Sequence, residues 1–447
     1  MKGRISFVVA LAVAVLVASC GAEDEALPPE GAATVAQAPV EAPARPDRLG
    51  TYTGIETRTI APDFEALPGA RAEFGVIGKA GYRIEVPEEW NGDLVLWAHG
   101  FRGFGPELTV SSPPSALRQA IIESGAAWAA SSYSENGYAP GIGVDDTLAL
   151  KEHFEAEYGE VKRTYIGGVS MGGHVVALAL EYYPDEFDGA LSICGTLGGQ
   201  EQQDYLVSWA AVASFLAGVD VPVGRGANAA SVVLLTRISP ALGSVEEPTA
   251  QGLQFRNVMQ NLTGGPRPFF NEGFREQFAV NFGLLLADPN RQTVTGAAAT
   301  NEGVTYEVAD GLGIDSETIN EGVERLAANP SARDAETHPD AVPTSGRIAT
   351  PLLALHNTGD LFVPISHMQS YRRKVDQAGA GDLFVERAIR AAGHCKFSAE
   401  ELRTAYGDLL AWVEDGKKPE GDDLTGDLSD IGRRFTNPLR PGDPGNQ

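Results

Sequence analysis

Residues 81–86, Gly-Tyr-Arg-Ile-Glu-Val, alternate apolar and polar side chains, the period of a strand with one face on a core. Residues 94–98, Leu-Val-Leu-Trp-Ala, have no polar position, as expected of a strand covered on both faces. Beyond them the pattern predicts helices over 115–124, 144–158 and 171–183, interleaved with strands over 126–132, 164–169 and 189–194. Two more strands follow much later, 351–356 and 383–389, and a helix over 398–415 that stops at Gly416. Short strands alternating with amphipathic helices predict an α/β protein, a mostly parallel sheet covered by helices.

That rhythm is interrupted between 197 and 347, where helical periodicity recurs around 204–216, 254–261, 272–286 and 319–328. An unstructured loop of that length is implausible in a compact domain. The segment 200–347 therefore reads as a large, mainly helical cap inserted between two parts of the core, 51–199 and 348–416; a separate domain is the other reading. The remainder, 417–447, is rich in Gly, Pro and Asp and is expected to lie on the surface or fray.

At the other end, Lys2 and Arg4 precede an apolar run from 5 to 17, the n- and h-regions of a secretory signal peptide over 1–19. The run is short for a membrane span. It closes in Leu16-Val17-Ala18-Ser19-Cys20, which resembles the lipobox of bacterial lipoproteins and implies acylation of Cys20 after cleavage; an ordinary signal cut near Ala18 is the alternative. Residues 20–50, the lipidated Cys and a stretch of Ala, Pro, Glu and Asp, then form a flexible tether. This places the protein in a bacterial cell envelope, periplasmic or at the outer membrane or cell surface, held to the membrane by lipid alone.

Composition narrows the partners. The 447 residues are 43% hydrophobic, enough for a large core, and the net charge is −26. Nucleic acid is excluded as a partner, because binding a polyanion needs clustered Lys and Arg.

Gly168-Val169-Ser170-Met171-Gly172 follows the strand 164–169 and opens a helix, the context of a nucleophile elbow that exposes a serine hydroxyl on a tight turn. A serine needs a base to attack. With His99-Gly100-Phe101 after an earlier strand, Asp360 in a turn past 351–356, and His394 after 383–389, the chain order Ser, acid, His is similar to that of the α/β-hydrolase superfamily. The resemblance spans about 81–199 and 350–412. It implies the α/β-hydrolase fold and a triad of Ser170, Asp360 and His394, since Gly359-Asp360 followed by Val363-Pro364 matches the segment carrying the carboxylate. Asp382 and Asp340 are rival acids. The resemblance further implies an oxyanion hole from the backbone N–H groups of Met171 and Phe101, and a cap lying over the nucleophile. His356 and His367, flanking Asp360, read as structural; His174, inside the elbow helix, reads as a packing residue; His153 and His338 read as solvated.

Cys194 and Cys395 remain once Cys20 is lipidated. Both are expected at the carboxyl edge of the sheet, and in an oxidising compartment they are candidates for a disulfide; two buried free thiols are the alternative. No Cys, His and carboxylate cluster has metal-ligand spacing, so no metal and no cofactor are expected. The substrate expected is a small-molecule or polymeric carboxylic ester. A serine peptidase or amidase uses the same triad, and a non-catalytic binding lipoprotein is the third reading. Along 204–216 one helical stripe carries Trp209 and Phe215, expected to line the acyl pocket if the stripe faces the site, or to form the core of the cap if it does not.

Overall fold

The period-two and continuous apolar runs form strands in the order expected. The structure, a computed structural model, describes residues 47–62, 65–222, 227–286, 298–441 and 443. The signal segment, Cys20 and most of the tether lie outside the described residues. The first half contains β1 (Arg58–Ile60), β2 (Ala70–Ile77), β3 (Ala80–Pro87), β4 (Asp93–Ala98), β5 (Glu107–Thr109), α1 (Ser115–Glu123), β6 (Ala127–Ser131), α2 (Pro140–Tyr158), β7 (Arg163–Val169), α3 (Met171–Tyr182) and β8 (Gly189–Ile193). The inserted segment folds as α4 (Glu201–Ala217), α5 (Ala227–Val233), a π turn over Leu234–Ile238, α6 (Ser239–Leu242), α7 (Ala250–Leu262), α8 (Phe270–Leu286) and α9 (Ser316–Gly322). The core then resumes with β9 (Leu352–Gly359), α10 (Ser366–Gln377), β10 (Phe384–Ala392) and α11 (Ala399–Asp415).

Eight strands form one sheet in the order β10-β9-β8-β7-β4-β6-β3-β2. Its pairings are parallel except for those of β3 with β2 and with β6. From β4 the chain builds β6 on one side, then crosses to β7 on the other and continues outward. Ligand crevices of open α/β sheets form at the carboxyl ends of strands around such a reversal. One face of the sheet packs against α2, α3 and α10 in a core that includes Ile166, Val176 and Tyr371; the other packs against α1 and α11 around Trp128, Leu191 and Tyr406. The cap has a core of its own around Trp209, Phe255 and Phe274.

One boundary differs from the sequence reading. Leu49, placed in the tether, is buried in the main core, and Asp145 accepts hydrogen bonds from the backbone N–H groups of Leu49 and Gly50. The tail after α11 does not fray among the described residues. β10 is the edge of the sheet, and the tail satisfies its free backbone groups: Asp422 accepts from Ala388 N, Thr436 Oγ1 accepts from Arg390 N, and Asp422 N donates to Glu386 O. Fully buried Arg390 pairs with Asp430 and Asp443 of the tail. Covering an edge in this way removes a template for strand addition.

Candidate active site

Ser170 stands at the end of β7 with φ 58° and ψ −122°, a backbone conformation that costs an L-residue strain and concentrates at functional turns. The neighbouring glycines make the turn sterically possible. A Cβ at Gly168 would lie 2.2 Å from Gly172 O, one at Gly172 2.1 Å from Ala98 O, and one at Gly173 2.3 Å from Gly195 Cα. The hydroxyl is left over the first turn of α3, with Ser170 9% exposed.

Ser170 Oγ lies 2.8 Å from His394 Nε2, and His394 Nδ1 lies 2.5 Å from Asp360 Oδ2. A carboxylate only accepts, so Nδ1 carries the proton and the Nε2 lone pair faces the serine. The other carboxylate oxygen, Oδ1, accepts from the N–H groups of Phe362 (2.9 Å) and Val363 (3.1 Å) and from Gln277 Nε2 (3.4 Å). The two rivals are elsewhere: Asp382 is exposed and pairs with Lys418, while Asp340 is buried with its carboxyl pushed up to about 7 by that burial.

The turn that carries Asp360 is held from the cap. Tyr205 Oη and Asn281 Nδ2 both donate to Leu361 O, at 2.6 and 2.7 Å, and Gln277 Oε1 accepts from Leu361 N. Gln202 Nε2 donates to Phe362 O and buried Arg267 to Thr358 O. On the sheet side His356 Nε2 donates to Val363 O at 2.8 Å. Sequence reasoning did not single out Gln277 or Asn281. The signal available is that both sit one position before Phe278 and Phe282 in the i, i+4 aromatic stripe of α8, so they border the buried face.

Phe101 and Met171 both border the cleft at Ser170. The chain at Gly100 runs so close that a Cβ there would lie 3.0 Å from Ser170 Cβ, and Met171 opens α3, where backbone N–H groups are free of the helix ladder. His99 braces this loop: Nδ1 is 2.7 Å from Gly100 O, Nε2 is 3.1 Å from Ser132 O, and the ring stacks on Tyr133. Burial draws His99 down to about 4, so it is neutral and donates to one of the two carbonyls.

The cleft, about 490 Å³ including its open mouth, has apolar walls from Phe101, Phe104, Leu206, Phe362 and Val363, and polar ones from Tyr138, Thr196, Gln202 and Gln203. Among the described residues no charged side chain lines it. Trp209 and Phe215 are not part of it, which corrects the expectation for the acyl pocket. Trp209 is fully buried among Phe255, Phe274, Phe278 and Phe282 of the cap, and Phe215 packs against Gly322. The cleft face of α4 carries Gln202, Gln203 and Leu206 instead. Cys194 and Cys395 form a disulfide with Cα atoms 5.3 Å apart, which joins the loop after His394 to the end of β8. Among the described residues these two sulfurs and His394 are the one group of metal-ligand type, and the sulfurs are bonded to each other.

The sheet order, the elbow at its centre and the order of the three loops are those of the α/β-hydrolase fold. No protein-family model matches the chain. It is 23% identical to an o-phthalyl amidase of Xanthobacter agilis over 411 residues, 77% of this chain and 87% of that protein. Among solved structures it is similar to feruloyl esterase B from Aspergillus oryzae (TM-score 0.45, 13% identity, 78% of this chain and 81% of that one). It is also similar to an esterase from the same organism (TM-score 0.46, 13% identity, 78% and 80%) and to an acylaminoacyl peptidase of Pyrococcus horikoshii (TM-score 0.41, 14% identity, 80% and 44%).

Proposed function

We propose that the protein is an exported, lipid-anchored serine hydrolase that cleaves carboxylic esters with an apolar, aromatic acyl group. The observation that carries this reading is the unbroken hydrogen-bond chain Asp360, His394, Ser170, opening into an uncharged cleft walled by Phe101, Phe104 and Phe362. His394 Nε2 takes the Ser170 proton as Oγ attacks the carbonyl, and the oxyanion is received by the N–H groups of Met171 and Phe101. The imidazolium, stabilised by Asp360, passes that proton to the leaving alkoxide. Water activated by the same nitrogen then releases the acid and frees Ser170.

Amide hydrolysis by the same steps is the second reading, and the 23% identity to a protein called an amidase favours it. Protein shortened to begin at residue 47 should be given p-nitrophenyl benzoate beside the matched p-nitroanilide. Faster ester turnover is the expected result. Anilide cleavage at an equal or higher rate would make the protein an amidase, and inertness to both would support a binding lipoprotein.

Support for export and anchoring comes from the basic and apolar leader ending at Cys20 and from a disulfide, which persists in oxidising compartments. Among the described residues no helix is long and apolar enough to cross a membrane. Cys20→Ser is therefore expected to move the protein from the membrane fraction to the soluble fraction without changing its specific activity. Retention of the variant on membranes would rule out the lipid anchor.

A further inference from the structure

His174 is the fourth residue of α3, whose first residue, Met171, follows Ser170. It is fully buried, its Nδ1 is 3.1 Å from the hydroxyl of Tyr138, and among the described residues its Nε2 has no hydrogen-bond partner. Burial draws His174 down to about 3, so the ring is neutral and carries a single proton. A buried N–H without an acceptor is rarer than an unfilled acceptor, which places that proton on Nδ1, donated to Tyr138 Oη. The side chain of Thr196 hydrogen-bonds the same hydroxyl. Tyr138 and Thr196 both line the cleft beside Ser170.

A tyrosine hydroxyl offers one donor and two acceptor positions. His174 occupies one acceptor position. Thr196 can donate or accept, so when an acceptor enters the cleft, Thr196 donates to Tyr138 and the tyrosine proton turns to the newcomer. Packing alone does not account for a buried histidine with one ring nitrogen unpaired, because an apolar side chain of similar volume would avoid that cost. The uncharged lining and the net charge of −26 disfavour an anionic substituent as the acceptor.

We infer that Tyr138 is a substrate-contacting, specificity-determining residue, positioned by His174, whose hydroxyl donates to a neutral acceptor oxygen on the acyl ring, so that ethers or carbonyl-bearing aromatic acyl groups are preferred to the bare ring. This rests on the aromatic-acyl hydrolase reading above. Tyr138 and His174 supply selectivity, and the reacting atoms remain those of Ser170 and His394.

The experiment compares p-nitrophenyl benzoate with its three methoxybenzoate isomers on the wild type, Tyr138→Phe, His174→Leu and His174→Asn, the last keeping an N–H close to the place of Nδ1. In the wild type one isomer should exceed benzoate in kcat/KM by about 3–10-fold more than it does in Tyr138→Phe, chiefly through KM. His174→Leu should lose that preference and His174→Asn should keep it. If His174→Leu does not fold, Tyr138→Phe and His174→Asn decide between them. The same isomer ratio in wild type and Tyr138→Phe overturns the inference, as does an equal loss of kcat on all four esters. A wild type inert to benzoate esters and anilides alike would sink the aromatic-acyl reading and this inference together, whereas active enzyme with unaltered ratios sinks this inference alone.

Discussion

Ser170→Ala is expected to lower kcat/KM on any substrate the wild type turns over by about 10⁴–10⁶-fold while leaving the melting temperature almost unchanged. The hydroxyl is the attacking atom, and its side-chain partner is His394 Nε2, so its removal deletes chemistry rather than packing. A fluorophosphonate should label the wild type and not the variant. Labelling that persists in Ser170→Ala would move the nucleophile elsewhere. Asp360→Asn should cost about 10⁴-fold for a different reason. Oδ1 is fixed by the N–H groups of Phe362 and Val363, so the amide must keep its oxygen there and turn its NH₂ toward His394 Nδ1. That arrangement favours the wrong tautomer, with the proton on Nε2 and no lone pair for Ser170. Asp382→Asn, at a side chain 72% exposed and paired with Lys418, should change nothing; a larger effect there than at Asp360 would overturn the assignment of the acid.

What the sequence made legible was local. The strand β4, the elbow and the helix after it are each written in fewer than about fifteen consecutive residues, and periods of two and 3.6 report them directly. The positions of His394 and Asp360 follow from what comes after each strand. What stayed hidden was contact across long separations. Gln277 and Asn281 reach the Asp360 turn from about 80 residues away, and nothing in α8 alone tells a buried amide from a boundary one. His174 is buried as a packing residue would be, but its contact with Tyr138, 36 residues away, is written in neither segment. The tail lies on the surface as expected, but its partners were not legible: Asp422, Thr436 and Asp443 spend its polarity on the free edge of β10 and on Arg390.

The same limit explains α4. A stripe at i, i+4 and i+7 states that a helix has a buried face and is silent about what lies opposite it. Opposite Trp209 lie Phe255 at 5.0 Å and Phe274 at 5.7 Å between ring centroids, so the indole is the centre of the cap core. Trp209→Ala is accordingly expected to destabilise the protein by about 3–5 kcal/mol, through lost burial and the cavity left behind. Leu361, next to Asp360, packs into that same cluster, so kcat should fall as the acid turn loosens. The ranking of acyl chains by the enzyme that remains folded should stay as in the wild type, because Trp209 does not border the cleft. Leu206→Ala makes the contrast: Leu206 lines the cleft, and its truncation should enlarge the pocket and favour bulkier acyl groups with a smaller loss of stability. Graded p-nitrophenyl esters read beside thermal melts separate the two. A shift of acyl preference in Trp209→Ala at constant folded fraction would return the indole to the pocket wall.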